Sequence, residues 1–264
     1  IREGGYIVHG GSDGIAFAIP ANVVKFVVSE LTTHGTVRWP YLGASFETLK
    51  PDVAAALRLP DGRAAAVVTH VVADRPAALA GLQVGDAITE FNGRPVRDAV
   101  DLDLCLQRAS LERPVVVSVY RGMQELSREV QLQVRPPAVR RDPAALRKAG
   151  QDQSPHVDRS WGLAVLDCKP EGLPDANSEE LVQGIVVQNV EPGGAAWLAG
   201  VQQGSLITHV GTLPVTNVEE FKDVPEVQSH GKVLLLVRCD CCGGRFVVLD
   251  LARQAAYLQS TQLR

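Results

Sequence analysis

Apolar positions along this chain fall into short runs of strand length, broken by glycine-bearing turns, and the whole pattern occurs twice. Val67-Val68-Thr69-His70-Val71 leads to Ala77-Ala78-Leu79-Ala80-Gly81-Leu82 and then to Gly85-Asp86-Ala87-Ile88. At a constant offset of 119 positions, Val186-Val187-Gln188-Asn189-Val190 leads to Ala196-Trp197-Leu198-Ala199-Gly200-Val201 and then to Gly204-Ser205-Leu206-Ile207. Leu42-Gly43 falls on Trp161-Gly162, and Pro95-Val96 on Pro214-Val215, at the same offset. A unit of this length is a small domain in tandem, because solenoid repeats are far shorter.

Within the first unit the pattern predicts an ordered series of elements. Tyr41-Leu42-Gly43-Ala44 opens a strand, and Val67 to Val72 is a second one. Pro76 stands at a helix start and Gly81 just past its end, where those residues are favoured. Gly85-Asp86 turns the chain into a strand over Ala87 to Phe91, and Asn92-Gly93 is a hairpin turn. Asp98 or Asp101 starts a helix with Leu102, Cys105, Leu106 and Ala109 at helical spacing. Two strands, Val115 to Tyr120 and Glu129 to Val134, close the unit.

Five segments follow from this reading: 1–39, a first repeat at 40–135, a linker at 136–159, a second repeat at 160–251 and a polar tail at 252–264. In the first segment, Gly14 to Pro20 reads as a short strand. Asn22 can cap a helix through Val23, Val24, Phe26, Val27 and Leu31 that Gly35 ends. Pro136-Pro137, Pro143 and Pro155 mark the linker, with a short helix over Ala144 to Ala149. Each repeat has its own turns, so the two are expected to fold independently.

Composition narrows the function classes. Hydrophobic content of 45% and charged content of 21% are those of a globular protein. A net charge of -4 argues against a nucleic-acid binder, which needs a concentrated basic face. Aromatic content of 5% is too low for stacking platforms. No apolar run reaches membrane-spanning length, and no signal peptide begins the chain. The first residue is not Met, as expected of a fragment or a processed product. Of five cysteines, Cys105 and Cys168 read as small buried residues. Cys239, Cys241 and Cys242 precede Gly243-Gly244, which reads as a hairpin turn with incidental thiols. A thiol or metal role is the alternative there, but no second pair or His partner sits at metal-site spacing. No cofactor is expected.

An aromatic-Leu-Gly-apolar loop, Pro76-Ala77-Ala78-Leu79-Ala80-Gly81-Leu82, Gly85-Asp86-Ala87-Ile88 and Asn92-Gly93-Arg94-Pro95-Val96 together resemble the PDZ domain in its bacterial arrangement. Asp13-Gly14-Ile15-Ala16-Phe17-Ala18-Ile19-Pro20 is similar to the last strand of the protease domain in the HtrA/Deg serine proteases. The second repeat departs from the pattern: Gly204-Ser205 replaces Gly-Asp, and Gly211-Thr212 replaces Asn-Gly. The resemblance implies an α+β chain. Two PDZ-like, partly open barrels or sandwiches with flanking helices would follow the last strand and helix of a trypsin-like β-barrel. It also implies a cell-envelope or periplasmic location, a role in protein quality control, and homo-oligomers formed through the missing protease domain.

In that family the triad ends in Gly-Asn-Ser-Gly-Gly, ahead of the Gly-Phe-Ala-Ile-Pro strand. Nothing here reads so, and the chain itself is expected to have no catalytic residue. Gly10-Gly11-Ser12-Asp13-Gly14 fits G-x-S-x-G formally, but a nucleophile elbow needs a strand before the serine and a helix after it. Binding chemistry has more support. The resemblance makes Tyr41, Leu42, Gly43 and Ala44 the loop that captures a peptide's C-terminal carboxylate. Ser45 and Phe46 begin the strand a peptide would pair with. Leu102 and Leu106 line an apolar pocket or simply pack helix against sheet. Trp161, Gly162 and Leu163 are the corresponding second loop, with Trp161 filling its own pocket. The implied partners are unfolded proteins or exposed peptide C-termini, with no nucleic acid. The alternative is a stand-alone tandem-PDZ adaptor.

Overall fold

The computed structural model describes residues 19, 21–60, 62–136, 155–158, 160–168, 173–174, 181–225, 231–239 and 243–262. The chain divides into two compact units, 1–39 and 40–264. In the first, helix α1 spans Ala21–His34. It begins one residue before Asn22, and Gly35 ends it at φ 71°. The expected strand over Gly14 to Pro20 lies, apart from Ile19, outside the described residues. An ion pair of 2.9 Å between Glu30 and Arg38 folds the segment after the helix back on it.

The second unit holds both repeats. The first comprises β1 (Pro40–Tyr41), β2 (Ala44–Thr48), α2 (Pro51–Ala56), β3 (Ala66–Val71), α3 (Pro76–Leu79), β4 (Ala87–Phe91), β5 (Arg94–Pro95), α4 (Ala99–Gln107), β6 (Val115–Arg121), β7 (Gln124–Val130) and β8 (Gln133–Val134). Its sheet runs β2-β3-β4-β6-β7, all antiparallel, with β5 on β4. Asn92 and Gly93 take φ 49° and 76°, the left-handed pair a tight hairpin requires. The last long strand starts at Gln124, earlier than expected, because Gly122 at φ 57° closes a hairpin directly after Arg121. Helix α2 has no counterpart among the sequence expectations; Pro51 starts it.

The second repeat comprises β9 (His156–Asp158), β10 (Leu163–Asp167), β11 (Leu173–Pro174), β12 (Leu181–Val182), β13 (Ile185–Val190), α5 (Ala195–Leu198), β14 (Leu206–Val210), β15 (Leu213–Pro214), α6 (Val218–Asp223), β16 (Lys232–Cys239) and β17 (Gly243–Asp250). Its sheet runs β17-β16-β14-β13-β10-β9. Neither sheet closes on itself in this order, and helix α7 (Leu251–Gln262) follows. Residues 156–158, inside the expected linker, are thus a paired strand, whereas 144–149 lie outside the described residues. Gly243 and Gly244 are strand residues opposite Cys239 and Arg238, so they do not form the turn themselves. Cys241 and Cys242 lie outside the described residues.

Each repeat has an apolar core. Leu42, Val68, Ile88, Leu102, Val117 and Val119 build the first; Trp161, Val165, Ile207, Phe221 and Leu235 build the second. A further cluster joins them: Val53 and Val67 of the first repeat pack with Leu234, Leu236 and Phe246 of the second. The Phe246 amide donates to the Glu47 side chain at 2.6 Å. Burial raises the Glu47 pKa, and this hydrogen bond offsets part of the effect. The repeats are therefore apposed through packed side chains, against the expectation of two independent pieces. The reason is visible in alternation: Val68 and Leu235 face their own cores while Val67, Leu234 and Leu236 face across.

Two outcomes follow from this junction. Phe246→Ala should lower unfolding free energy by about 3 to 5 kcal/mol, as for a fully packed Phe. Urea denaturation reads it, and a cost below about 0.5 kcal/mol would contradict the packing. Burial, with His70 and Arg238 nearby, lowers the His209 pKa to about 4. Its neutral form is the folded one, so its contribution is complete above the unfolded pKa of about 6.5 and is lost as pH falls toward 4. His209→Gln should flatten the stability profile across that window.

Candidate peptide-binding edge

The loop Tyr41 to Ala44 is held by backbone bonds to the next strand and helix. The Leu42 carbonyl accepts from the Ala77 amide at 2.8 Å, and the Gly43 carbonyl accepts from the Val72 amide at 2.9 Å. In a trans peptide unit the N–H points opposite to the C=O. The amides of Gly43 and Ala44 therefore face away from β3 and α3, toward the outer side of β2. That strand ends the first sheet's order, with β3 on its other side. The result is two N–H donors turned from those partners and followed by a sheet edge, the kind of elements that take an extended peptide and its terminal carboxylate.

Gly43 makes this geometry possible. It sits at φ 77°, and a Cβ there would collide with the Arg75 Cβ. Helix α4 forms the other wall. Asp98 caps it, accepting from the Asp101 amide at 2.7 Å, and an Arg97–Asp101 pair of 2.8 Å spans its first turn. The Ala99 amide donates to Thr48 Oγ1 at 3.2 Å, fixing the helix start to the far end of β2.

The sequence-expected residues divide between edge and core. Ala44, Ser45 and Phe46 lie half-buried on β2. Tyr41, Leu42 and Gly43 are buried. Leu102 and Leu106 are 0% and 5% exposed and pack in the first repeat's core cluster. Cys105 beside them is half-buried and free, and burial raises its pKa. Two arginines escaped the sequence reading. Arg75 flanks Gly43, and the Arg135 guanidinium lies 5.6 Å from the Tyr41 ring centroid. The Arg135 guanidinium thus puts positive charge beside the loop, and the Arg75 side chain starts next to it. For Arg75 a signal was available, because the same offset places Gly194 there in the second repeat.

The second loop repeats the backbone pattern. The Trp161 carbonyl accepts from Ala196 N at 3.0 Å and the Gly162 carbonyl from Glu191 N at 2.9 Å. Gly162 has φ 67°, and Trp161, fully buried, fills the second core. The Val218 amide donates to Asp167 at 2.6 Å, matching the tie at Thr48. Here, however, β9 lies along β10 on the outer side. Ser12 and His9 lie outside the described residues.

The PDZ domain family matches residues 40–132 and again 186–238. A probable periplasmic serine endoprotease, DegP-like, from Marinomonas sp. is 32% identical over 228 residues, covering 85% of this chain and 46% of that protein. Its counterpart from Pseudomonas fluorescens is 32% identical over 220 residues, covering 83% of this chain and 44% of that protein. The chain thus spans about half the length of these relatives. A solved structure, the HtrA-type protease AlgW with decapeptide, is 31% identical, with a TM-score of 0.44 over 50% of this chain and 40% of that one.

The loop geometry predicts unequal glycine substitutions. Gly93→Ala, at φ 76° in open space, should cost about 1 kcal/mol. Gly43→Ala meets the Arg75 Cβ as well and should cost about 2 to 3 kcal/mol. Equal costs in urea denaturation would show that the loop is not confined.

Proposed function

We propose a peptide-capturing role for this chain, which belongs to the PDZ-domain proteins and is homologous to the DegP-like serine endoproteases. The first repeat binds an extended peptide along the outer side of β2 and holds its C-terminal carboxylate at the Gly43 and Ala44 amides. The single observation that carries this reading is the pair of loop carbonyls tied to Ala77 and Val72, which turns both amides outward. Arg75 and Arg135 add the positive charge that a carboxylate favours. The apolar residues of β2 and α4 favour an apolar last side chain.

The relatives suggest the setting. In a DegP-like parent this portion would hand unfolded segments or exposed C-termini to a serine endopeptidase, in the periplasm and within a homo-oligomer, as part of protein quality control. The chain itself would bind and not cleave. Among the described residues no helix is long and apolar enough to cross a membrane.

Peptide chemistry tests the reading without altering the protein. A fluorescent decapeptide ending in a free Val should bind, and its C-terminal amide should bind about tenfold more weakly. Arg75→Gln should weaken the acid by a similar factor and leave the amide almost unchanged. Anisotropy titrations giving equal affinity for acid and amide would reject carboxylate capture.

A further inference from the structure

The two repeats present the same groove in opposite states. In the first, β2 has β3 on one side, and the segment before the loop goes elsewhere: Pro40 and Tyr41 pair with Val134 and Gln133. In the second, the segment before the loop folds onto the edge itself. Asp158, Val157 and His156 pair antiparallel with Leu163, Ala164 and Val165. The other side of β10 is already paired with β13. Burial follows the difference. Leu163 to Leu166 are all buried, while the equivalent Ala44 to Glu47 are half-buried.

The direction of β9 is the direction a captured C-terminus would take. It runs antiparallel to β10 and ends at the loop. There the Asp158 side chain accepts from the Ser160 amide at 2.9 Å and the Trp161 amide at 3.3 Å. At the other end of β9, burial and then the Lys222 ammonium lower the His156 pKa. The strand lies along β10, whose Asp167 accepts from the first amide of α6; β10 and α6 are the second repeat's counterparts of β2 and α4.

We propose that the second PDZ domain is loaded in cis: residues His156–Asp158 occupy the edge of β10 where a peptide would pair, and the Asp158 carboxylate holds the turn into the loop through the Ser160 and Trp161 amides. The tandem then has one open groove and one closed groove. An extended peptide ending in a carboxylate reaches the second groove only when β9 leaves it. The proposal uses the groove geometry of the proposed function but does not depend on binding by the first repeat.

The test uses the full chain and a synthetic peptide copying its own residues, Ser-Pro-His-Val-Asp with a free C-terminal carboxylate and an N-terminal dye. Asp158→Pro deletes the loop-facing carboxylate and one amide of the paired strand; Asp158→Asn, a milder change, removes the charge alone. In the wild type, the amides of Leu163 and Val165 should exchange slowly with deuterium. Asp158→Pro should speed that exchange at least tenfold and create a binding site for the peptide that the wild type lacks, and saturating peptide should restore protection. Asp158→Asn should give smaller changes of the same sign, which keeps the test alive should the proline variant unfold. Fast exchange at Leu163 and Val165 in the wild type would overturn the proposal. So would exchange unchanged in both variants, or an opened edge that gains no affinity for the peptide. If the Val-ended decapeptide fails on the wild type while this peptide binds Asp158→Pro, the first-repeat reading falls and the cis-loaded groove stands.

Discussion

The outer side of a terminal β-strand carries N–H and C=O groups that water, a partner or the chain itself must pair. Both repeats arrive at that edge by one device. Two loop carbonyls are bonded inward, at Ala77 and Val72 in the first repeat and at Ala196 and Glu191 in the second. The planar trans peptide then turns two amides outward. A glycine at positive φ is the condition for the bend, met by Gly43 and Gly162. The loop, the strand after it and the helix wall are consequences of that arrangement.

The same sheets are covered on their far faces by one another. Val67 and Val53 meet Leu234, Leu236 and Phe246, and the Gly85 turn lies so close to the second repeat that a Cβ there would be 2.7 Å from Thr212 Cγ2. Gly244 similarly leaves room for Thr69, 3.3 Å from where a Cβ would sit. The departures of the second repeat from the first repeat's pattern are partly explained by this junction. Asp86 in the first repeat is fully buried and paired with Arg121 at 2.7 Å, and Arg121 also donates to the Gly81 carbonyl. In the second repeat Ser205 stands in its place, and Arg245 donates to the matching Gly200 carbonyl. The turn keeps its cation while dropping the buried carboxylate, whose desolvation Arg121 and the Gln83 amide offset in the first repeat.

Local features were legible in the sequence because local chemistry decides them. Asn92-Gly93, the Asp98 cap, Pro76 with Gly81 and the loop glycines each carry their own conformational reason. The junction and β9 are non-local, and a linker rich in proline gives no hint that its last residues pair. Even so, a signal existed. Ala66-Val67-Val68 and Val233 to Val237 are continuous apolar runs, whereas a sheet with one solvated face alternates. The run Glu129 to Val134 misled for the opposite reason: the Gly122 hairpin, not apolar content, sets where the last long strand begins. Leu102 and Leu106 share helical spacing with any core-facing helix, so spacing alone could not separate pocket from core.

The charge pattern around the two loops fits one groove built for a free ligand and one for a tethered occupant. A peptide in solution loses translational and rotational freedom on binding, and a cation beside the loop helps offset that loss. The Arg135 guanidinium stands there in the first repeat, and the Arg75 side chain starts beside Gly43. Asp158 is joined to its loop by the residues before Ser160 and needs no such help, because its effective concentration is set by a very short tether. By the repeat offset Gly194 stands where the first repeat has Arg75. Under the proposed capture, a loop without the Arg75 cation would hold a competing C-terminus less tightly, which would favour the strand already paired with β10.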